Sequence, residues 1–324
     1  MKTFVIAEAG ANHDRNFSQA LRLVDAAKRA GASAVKFQTY YSSTLYRKNT
    51  PDFAGYNNIN QLIKDIELPR EWQRPLKDHC DKVGIEFMST PFDESAVEQL
   101  VNLGVKRLKI SGFEATDWRF VEMVASTGLP IIISIGIGFP MNYIGKISDI
   151  CEKYKNPLTL LHCNNAYPTP LSEVSLQSIK ALKEVRNAIS VGFSDHTTST
   201  LTPALAVVAG AEVIEKHFTL SRQLVGPDHA FALEPNELEE MVDLVRQAEL
   251  TIIPQGGQYS PSEKPFAKAR RSIVAKTAIS KGEIFTVENV TTKRPCLDGD
   301  IPAYQWDILL GKQSSQDYKI DQAI

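Results

Sequence analysis

The arrangement that most constrains this chain is an alternation of two hydrophobic periods. Short apolar runs rich in β-branched residues read as strands at 4–9, 34–38, 85–90, 107–111, 130–135, 158–163, 189–194 and 212–218. Amphipathic segments between and after them read as helices at 16–30, 70–83, 94–103, 117–126, 142–155, 174–186, 200–210 and 237–250. Gly31, Gly84, Gly104, Gly128 and Gly210 stand where helices should stop before the next strand. Eight strands, each followed by a helix or helix-sized segment, predict an α/β fold of the (β/α)8 TIM-barrel type. A doubly wound sheet alternates in the same way, but no GxGxxG turn follows the first strand.

At 324 residues the chain is longer than a barrel of about 250 residues requires. The alternation supports a catalytic barrel over 1–255. A Gly-, Pro- and Ser-rich stretch at 256–270 reads as a linker. Residues 271–324 read as a small β-rich domain, with a turn at Lys281 and Gly282. So short a domain buries little core of its own, so it should lean on a barrel, its own or a partner subunit's. The polar, turn-rich segment 41–68 follows the second strand, where barrel loops line active sites.

Charge narrows the function. The net charge is −2 and no basic block stands out, so neither nucleic acid nor a membrane surface is an expected partner. No window has the roughly 18 consecutive apolar residues of a membrane span. The first residues, MKTFVIAEAG, run into a strand without the pattern of a signal peptide. Cys80, Cys151, Cys163 and Cys296 lack CxxC spacing, as free thiols in a reducing cytoplasm would. A cytoplasmic protein is the expectation.

In a barrel of this type the chemistry gathers at the C-terminal strand ends. Lys36, Thr90, Lys109, Ser134 and Ser194 suit a phosphate or carboxylate, which needs cations and hydroxyl donors. Glu8, Glu114 and Asp228 suit proton transfer or the binding of sugar hydroxyls. Gln38, Asn165 and Tyr167 can line a polar pocket. His196, in FSDHTT, and His217, in VIEKHFTL, end the seventh and eighth strands. Neighbouring parallel strands deliver two imidazoles to one edge, where they can share a divalent metal. A lone strand-end histidine is more often structural, and His162 is expected to be buried and hydrogen-bonded. His13 can be a loop cap or a pocket residue, and His79 should be solvated. Glu215 and Lys216 read as outward-facing strand residues with no role.

These residues in this order resemble the nonulosonic acid synthase family, which includes N-acetylneuraminate (sialic acid), legionaminate and pseudaminate synthases. The matching stretches are IAEAGANHD, AVKFQT, STPFD, KISGFE, LLHCNNAYPTP, GFSDHT, IEKHFTLSR and GPDHAFALEP. The C-terminal stretch resembles the antifreeze-like SAF domain of the same family. The resemblance implies condensation of phosphoenolpyruvate with an N-acetylated hexosamine and water. The products would be a nine-carbon 2-keto sugar acid and phosphate. It implies phosphoenolpyruvate contacts from Lys36, Thr90, Lys109, Ser134 and Ser194. It also implies a manganese or magnesium ion on His196 and His217, and sugar or water handling by Glu8, Glu114 and Asp228. Arg294 matches an arginine that reaches the sugar from the appended domain of a partner subunit, which implies a domain-swapped homodimer.

The chain departs from the family at KISGFE. Gly112 stands where a serine is expected, leaving that phosphate donor missing or supplied by Ser111. Phe113 before Glu114 is nearer the pseudaminate branch, while YPTP is nearer the sialic and legionaminic pattern. Ser134-Ile135-Gly136 replaces Ser-Thr-Gly. Two other readings fit the same residues. A metal-dependent pyruvate aldolase would leave Lys36 and Lys109 without a phosphate to neutralise. A non-catalytic sugar-binding barrel would need no such set of acid, base and cation.

Overall fold

The computed structural model describes residues 2–52, 55–140, 143–185, 190–254, 256 and 259–324. Positions 142, 186 and 189, at the ends of expected elements, lie outside the described residues, as do 53–54 in the insert and 255, 257 and 258 near the expected linker. The chain divides into two compact units, Met1–Ile253 and Pro254–Ile324.

The first unit holds eight strands: β1 Phe4–Gly10, β2 Ala34–Thr39, β3 Glu86–Pro91, β4 Leu108–Ile110, β5 Ile131–Ile135, β6 Leu158–Cys163, β7 Ser190–Asp195 and β8 Val213–His217. They run parallel in the order β3-β2-β1-β8-β7-β6-β5-β4, and β3 lies beside β4 where the ring closes. This is the expected TIM barrel. The helices are α1 Phe17–Arg29, α2 Ser42–Leu45, α3 Ile59–Ile66, α4 Gln73–Val83, α5 Glu94–Leu103, α6 Trp118–Ala125, α7 Ile144–Lys153, α8 Gln177–Val185, α9 Thr202–Val208 and α10 Pro235–Thr251. Helix α3 lies inside the segment expected to be turns.

Local chemistry sets several of these ends. The side chains of Asn16, Asp93 and Asp117 accept hydrogen bonds from first-turn N–H groups of α1, α5 and α6. Glu234 and Glu237 form a capping box on α10.

The strand period of two then sorts the side chains. One apolar layer fills the barrel interior with Ile6, Ala34, Met88, Ile132, Leu161 and Val213. The alternate residues, such as Val5, Val35, Phe87, Ile133, Leu160 and Ile214, join the sleeve packed under the helices. Two residues beyond each interior position comes the mouth: Glu8, Lys36, Thr90, Ser134, Cys163 and Glu215. All six are buried.

The second unit pairs β9 Ser272–Ala275 antiparallel with β10 Val290–Lys293. It has its own core, centred on Ile273, Ile279, Phe285, Val290 and Leu309. Among the described residues no helix is long and apolar enough to cross a membrane.

Candidate active site

The floor of the mouth is a buried charge cluster. Lys36 Nζ lies 2.8 Å from Glu8 Oε2 and donates to Thr90 Oγ1 at 2.8 Å. Lys109 Nζ donates to Ser134 Oγ at 2.8 Å and to the Ile110 carbonyl at 3.1 Å. Glu215 Oε1 sits between the lysines, 3.7 Å from Lys36 and 3.6 Å from Lys109, and accepts from Ser194 Oγ at 3.3 Å. Glu215 Oε2 is buried without a hydrogen-bond partner. Gln38 Nε2 donates to Glu8 Oε1 at 3.2 Å.

Burial and charge push the two carboxylates apart. Burial drives Glu8 up to about 7, against the pull of Lys36. Burial would raise Glu215 as well, but Lys109 and Lys36 outweigh it and hold Glu215 below the usual carboxylate value. Glu215 is therefore a fixed anion, while Glu8 titrates near neutrality, as a proton-transfer group should. Lys109 is lowered by burial. Burial would lower Lys36 too, but Glu215 and Glu8 hold it high.

The two histidines face each other across the rim, with ring centroids 5.4 Å apart. His196 Nδ1 lies 2.6 Å from the Asn164 carbonyl. A carbonyl only accepts, so Nδ1 carries the proton and the Nε2 lone pair is free. His217 Nδ1 is buried without a partner, and Asp228 Oδ2 stands 3.7 Å from it. Burial lowers His196 to about 4 and His217 well below its ordinary value, so both imidazoles are neutral. Two neutral imidazoles, one with an orphaned buried nitrogen, fit a divalent ion. Among the described residues, no group of three or more His, Cys, Asp or Glu side chains is set to hold one. A shared ion would therefore need water or substrate oxygens as well. The Tyr167 ring packs on both histidines, 4.2 Å from His196 and 6.1 Å from His217.

Of the fifteen residues singled out in the sequence, all but Glu114, Asp228 and Arg294 line one cavity. Glu114 flanks it through a hydrogen bond from Ser111 Oγ, and burial raises its carboxyl. Asp228 flanks it beside His217 and is pushed up to about 6 by burial. Arg294 belongs to the second unit, where it is exposed just past β10.

Three expectations are corrected. Glu215 points into the barrel, because Val213, Glu215 and His217 alternate onto one face of β8. That signal was in the sequence: placing His217 at the mouth already places Glu215 there. Lys216 does face outward, yet it is buried. It pairs with Asp195 at 2.8 Å and donates to Thr197 Oγ1 at 3.2 Å, bracing the loop that carries His196. His79 is not simply solvated, since Nε2 lies 2.7 Å from Asp25 Oδ1. His13 is buried between Phe37 and Trp72 and accepts from the Arg15 N–H, so its role is structural. His162 is half-buried and bonds the Val174 carbonyl.

The fold and this mouth together define a TIM-barrel protein with a buried, charged floor of two lysines and two carboxylates and a neutral histidine pair. The chain belongs to the NeuB family, whose pattern matches residues 23–255, and it carries a SAF domain at residues 270–324. It is 39% identical to the N,N'-diacetyllegionaminic acid synthase of Legionella pneumophila over 91% of this chain and 86% of that one. It is 37% identical to a pseudaminic acid synthase of Campylobacter jejuni over 100% and 95%. The crystal structure of the N-acetylneuraminic acid synthetase of Leptospira borgpetersenii in complex with citrate superposes with a TM-score of 0.76. That match has 33% identity and covers 82% of this chain and 90% of that one.

Proposed function

We propose that this protein condenses phosphoenolpyruvate with the open-chain aldehyde of an N-acetylated hexosamine and releases phosphate. The observation that carries the proposal is the floor: two buried ammonium groups, each 2.8 Å from a hydroxyl. Such a pair suits a substrate bearing both phosphate and carboxylate, and far exceeds what pyruvate alone would need. The family and its synthase relatives support the same chemistry.

The methylene carbon of the enol attacks the aldehyde carbon, and the aldehyde oxygen takes a proton. Water then adds to the carbon bearing the phosphate ester, and the carbon–oxygen bond to phosphate breaks. The product is a nine-carbon 2-keto sugar acid. Lys36, Lys109, Thr90, Ser134 and Ser194 hold the anion. Glu8, at about 7, can give or take the proton at neutral pH. Glu114, Asp228, Gln38 and Tyr167 face the sugar. His196 and His217 would hold a manganese or magnesium ion, which when bound supplies Lewis-acid polarisation of a carbonyl oxygen. Arg294 would reach the sugar of a partner subunit in a domain-swapped homodimer.

The acceptor is N-acetylmannosamine or a diacetamido analogue. The 39% identity to a diacetyllegionaminic acid synthase favours the diacetamido class.

Phosphate release should require phosphoenolpyruvate, one of these sugars and a divalent ion, and should stop with EDTA. No release with any of N-acetylmannosamine and the two diacetamido sugars would overturn the proposal. Borohydride trapping of pyruvate on a lysine would point to an aldolase. Sugar binding by calorimetry without turnover would point to a binding protein.

A further inference from the structure

The turn after β4 offers the pocket almost nothing polar. Ser111 Oγ is committed to Glu114 and also accepts the Phe113 N–H at 3.2 Å. Gly112 has no side chain, and Phe113 is apolar and exposed. What fills this wall comes from another strand. Asn165, just past the end of β6, places its carboxamide against Gly112. A Cβ added at Gly112 would lie 3.0 Å from Asn165 Oδ1 and 3.2 Å from its Nδ2. Gly136, just past the end of β5 between β4 and β6, is closer still. A Cβ there would collide with Asn165 Oδ1 and lie 2.8 Å from the Cys163 carbonyl.

The carboxamide thus packs against two glycines on successive strand ends, and a side chain at either would press on it. The backbone at Gly112 is not left-handed, so glycine is needed there for space and not for conformation. A Cβ at position 112 would press on the carboxamide, and Asn165 would have to give way by a few tenths of an ångström. Its Oδ1 also accepts from Cys163 Sγ at 3.8 Å.

We infer that Gly112 is a positioning residue: by leaving its side chain out, it admits the Asn165 carboxamide to the anion-binding wall. The polar contact on this wall therefore comes from β6 and not from the β4 turn. The inference rests on the proposed phosphoenolpyruvate chemistry and adds to it the position that sets Asn165 in place.

A double-mutant cycle tests it. Gly112→Ala should raise KM for phosphoenolpyruvate about tenfold or more, the worth of one hydrogen bond to a charged oxygen, with a much smaller change in kcat. Asn165→Ala should do the same. The double variant should be no worse than Asn165→Ala alone, because the clash has been removed. Gly112→Ser should lose as much as Gly112→Ala although it brings a hydroxyl. Wild-type kinetics in Gly112→Ala, a gain in Gly112→Ser, or losses that multiply in the double variant would each overturn the inference.

If wild-type protein releases no phosphate, the functional proposal fails separately. The contact is then read from the Asn165 side-chain amide signal in NMR spectra. That signal should shift strongly in Gly112→Ala, and an unmoved signal overturns the inference.

Discussion

Glu215 sets the charge balance of the mouth. Among the described residues it is the only carboxylate within 4 Å of Lys109, while Lys36 also has Glu8. Removing one partner from a buried ion pair leaves a charge without compensation, which costs about 3–5 kcal/mol. Glu215→Leu should therefore lower stability by about that much in urea unfolding. A loss within the error of the measurement would mean that Lys109 finds another counter-charge. His217 behaves oppositely. Its Nδ1 has no hydrogen-bond partner to abandon, so His217→Ala should fold normally yet lose both phosphate release and manganese binding, the latter followed by EPR titration. Retained manganese affinity would remove His217 as a ligand. The histidine pair was legible in the sequence from its strand-end spacing. Glu215 was equally legible, since a side chain two residues before an inward histidine must also face inward. Lys216 was not. On a barrel strand the outward face meets helices and not water, so an outward charge can still be buried and paired.

Elements repeat the lesson at a larger scale. The eight strands and their helices were readable because each kept its own hydrophobic period and many ended on glycine. Helix α3 was hidden by its polar, turn-rich surroundings, although Ile59, Leu62, Ile63 and Ile66 carry helical spacing. Caps are a weaker signal than periodicity but fix the ends, and Asp93 is the informative one. Its side chain accepts from the Ala96 N–H at 2.7 Å and pairs with Arg70, joining α5 to the residues before α4. Burial would raise its carboxyl, but Ser95, the Ala96 N–H and Arg70 outweigh burial and hold it below the usual aspartate range. A carboxyl depressed in the folded state contributes stability above its unfolded value, and that contribution is lost as pH falls through the folded value. Asp93→Asn keeps the cap but not the charge. It should be less stable than wild type at pH 7, and the gap should close as pH falls below about 4. Asp93→Ala should cost about 1 kcal/mol more than Asn through loss of the cap. Thermal melts across pH test both, and a pH-independent gap would assign Asp93 a purely geometric role.

At the scale of the whole molecule, the loss of strand–helix alternation after α10 marked where the barrel unit ends. Which barrel an appended domain serves is not a local pattern, because it depends on surfaces far apart in sequence. The proposed domain-swapped assembly makes that question a matter of counting sites. If each catalytic mouth takes His217 from one subunit and Arg294 from the other, then His217→Ala and Arg294→Ala homodimers are both inactive. In a mixed dimer, one mouth carries both defects and the other carries neither. Random reassembly of equal amounts makes half the dimers mixed, with one intact mouth each, so activity should return to roughly a quarter of wild type. Arg294 is exposed in its own unit, so its replacement should leave both units folded. Light scattering of the separate variants checks that each still forms a dimer. Recovery of activity on mixing requires shared mouths, because dimers whose mouths are each built from a single chain would keep one defect in every site and stay silent.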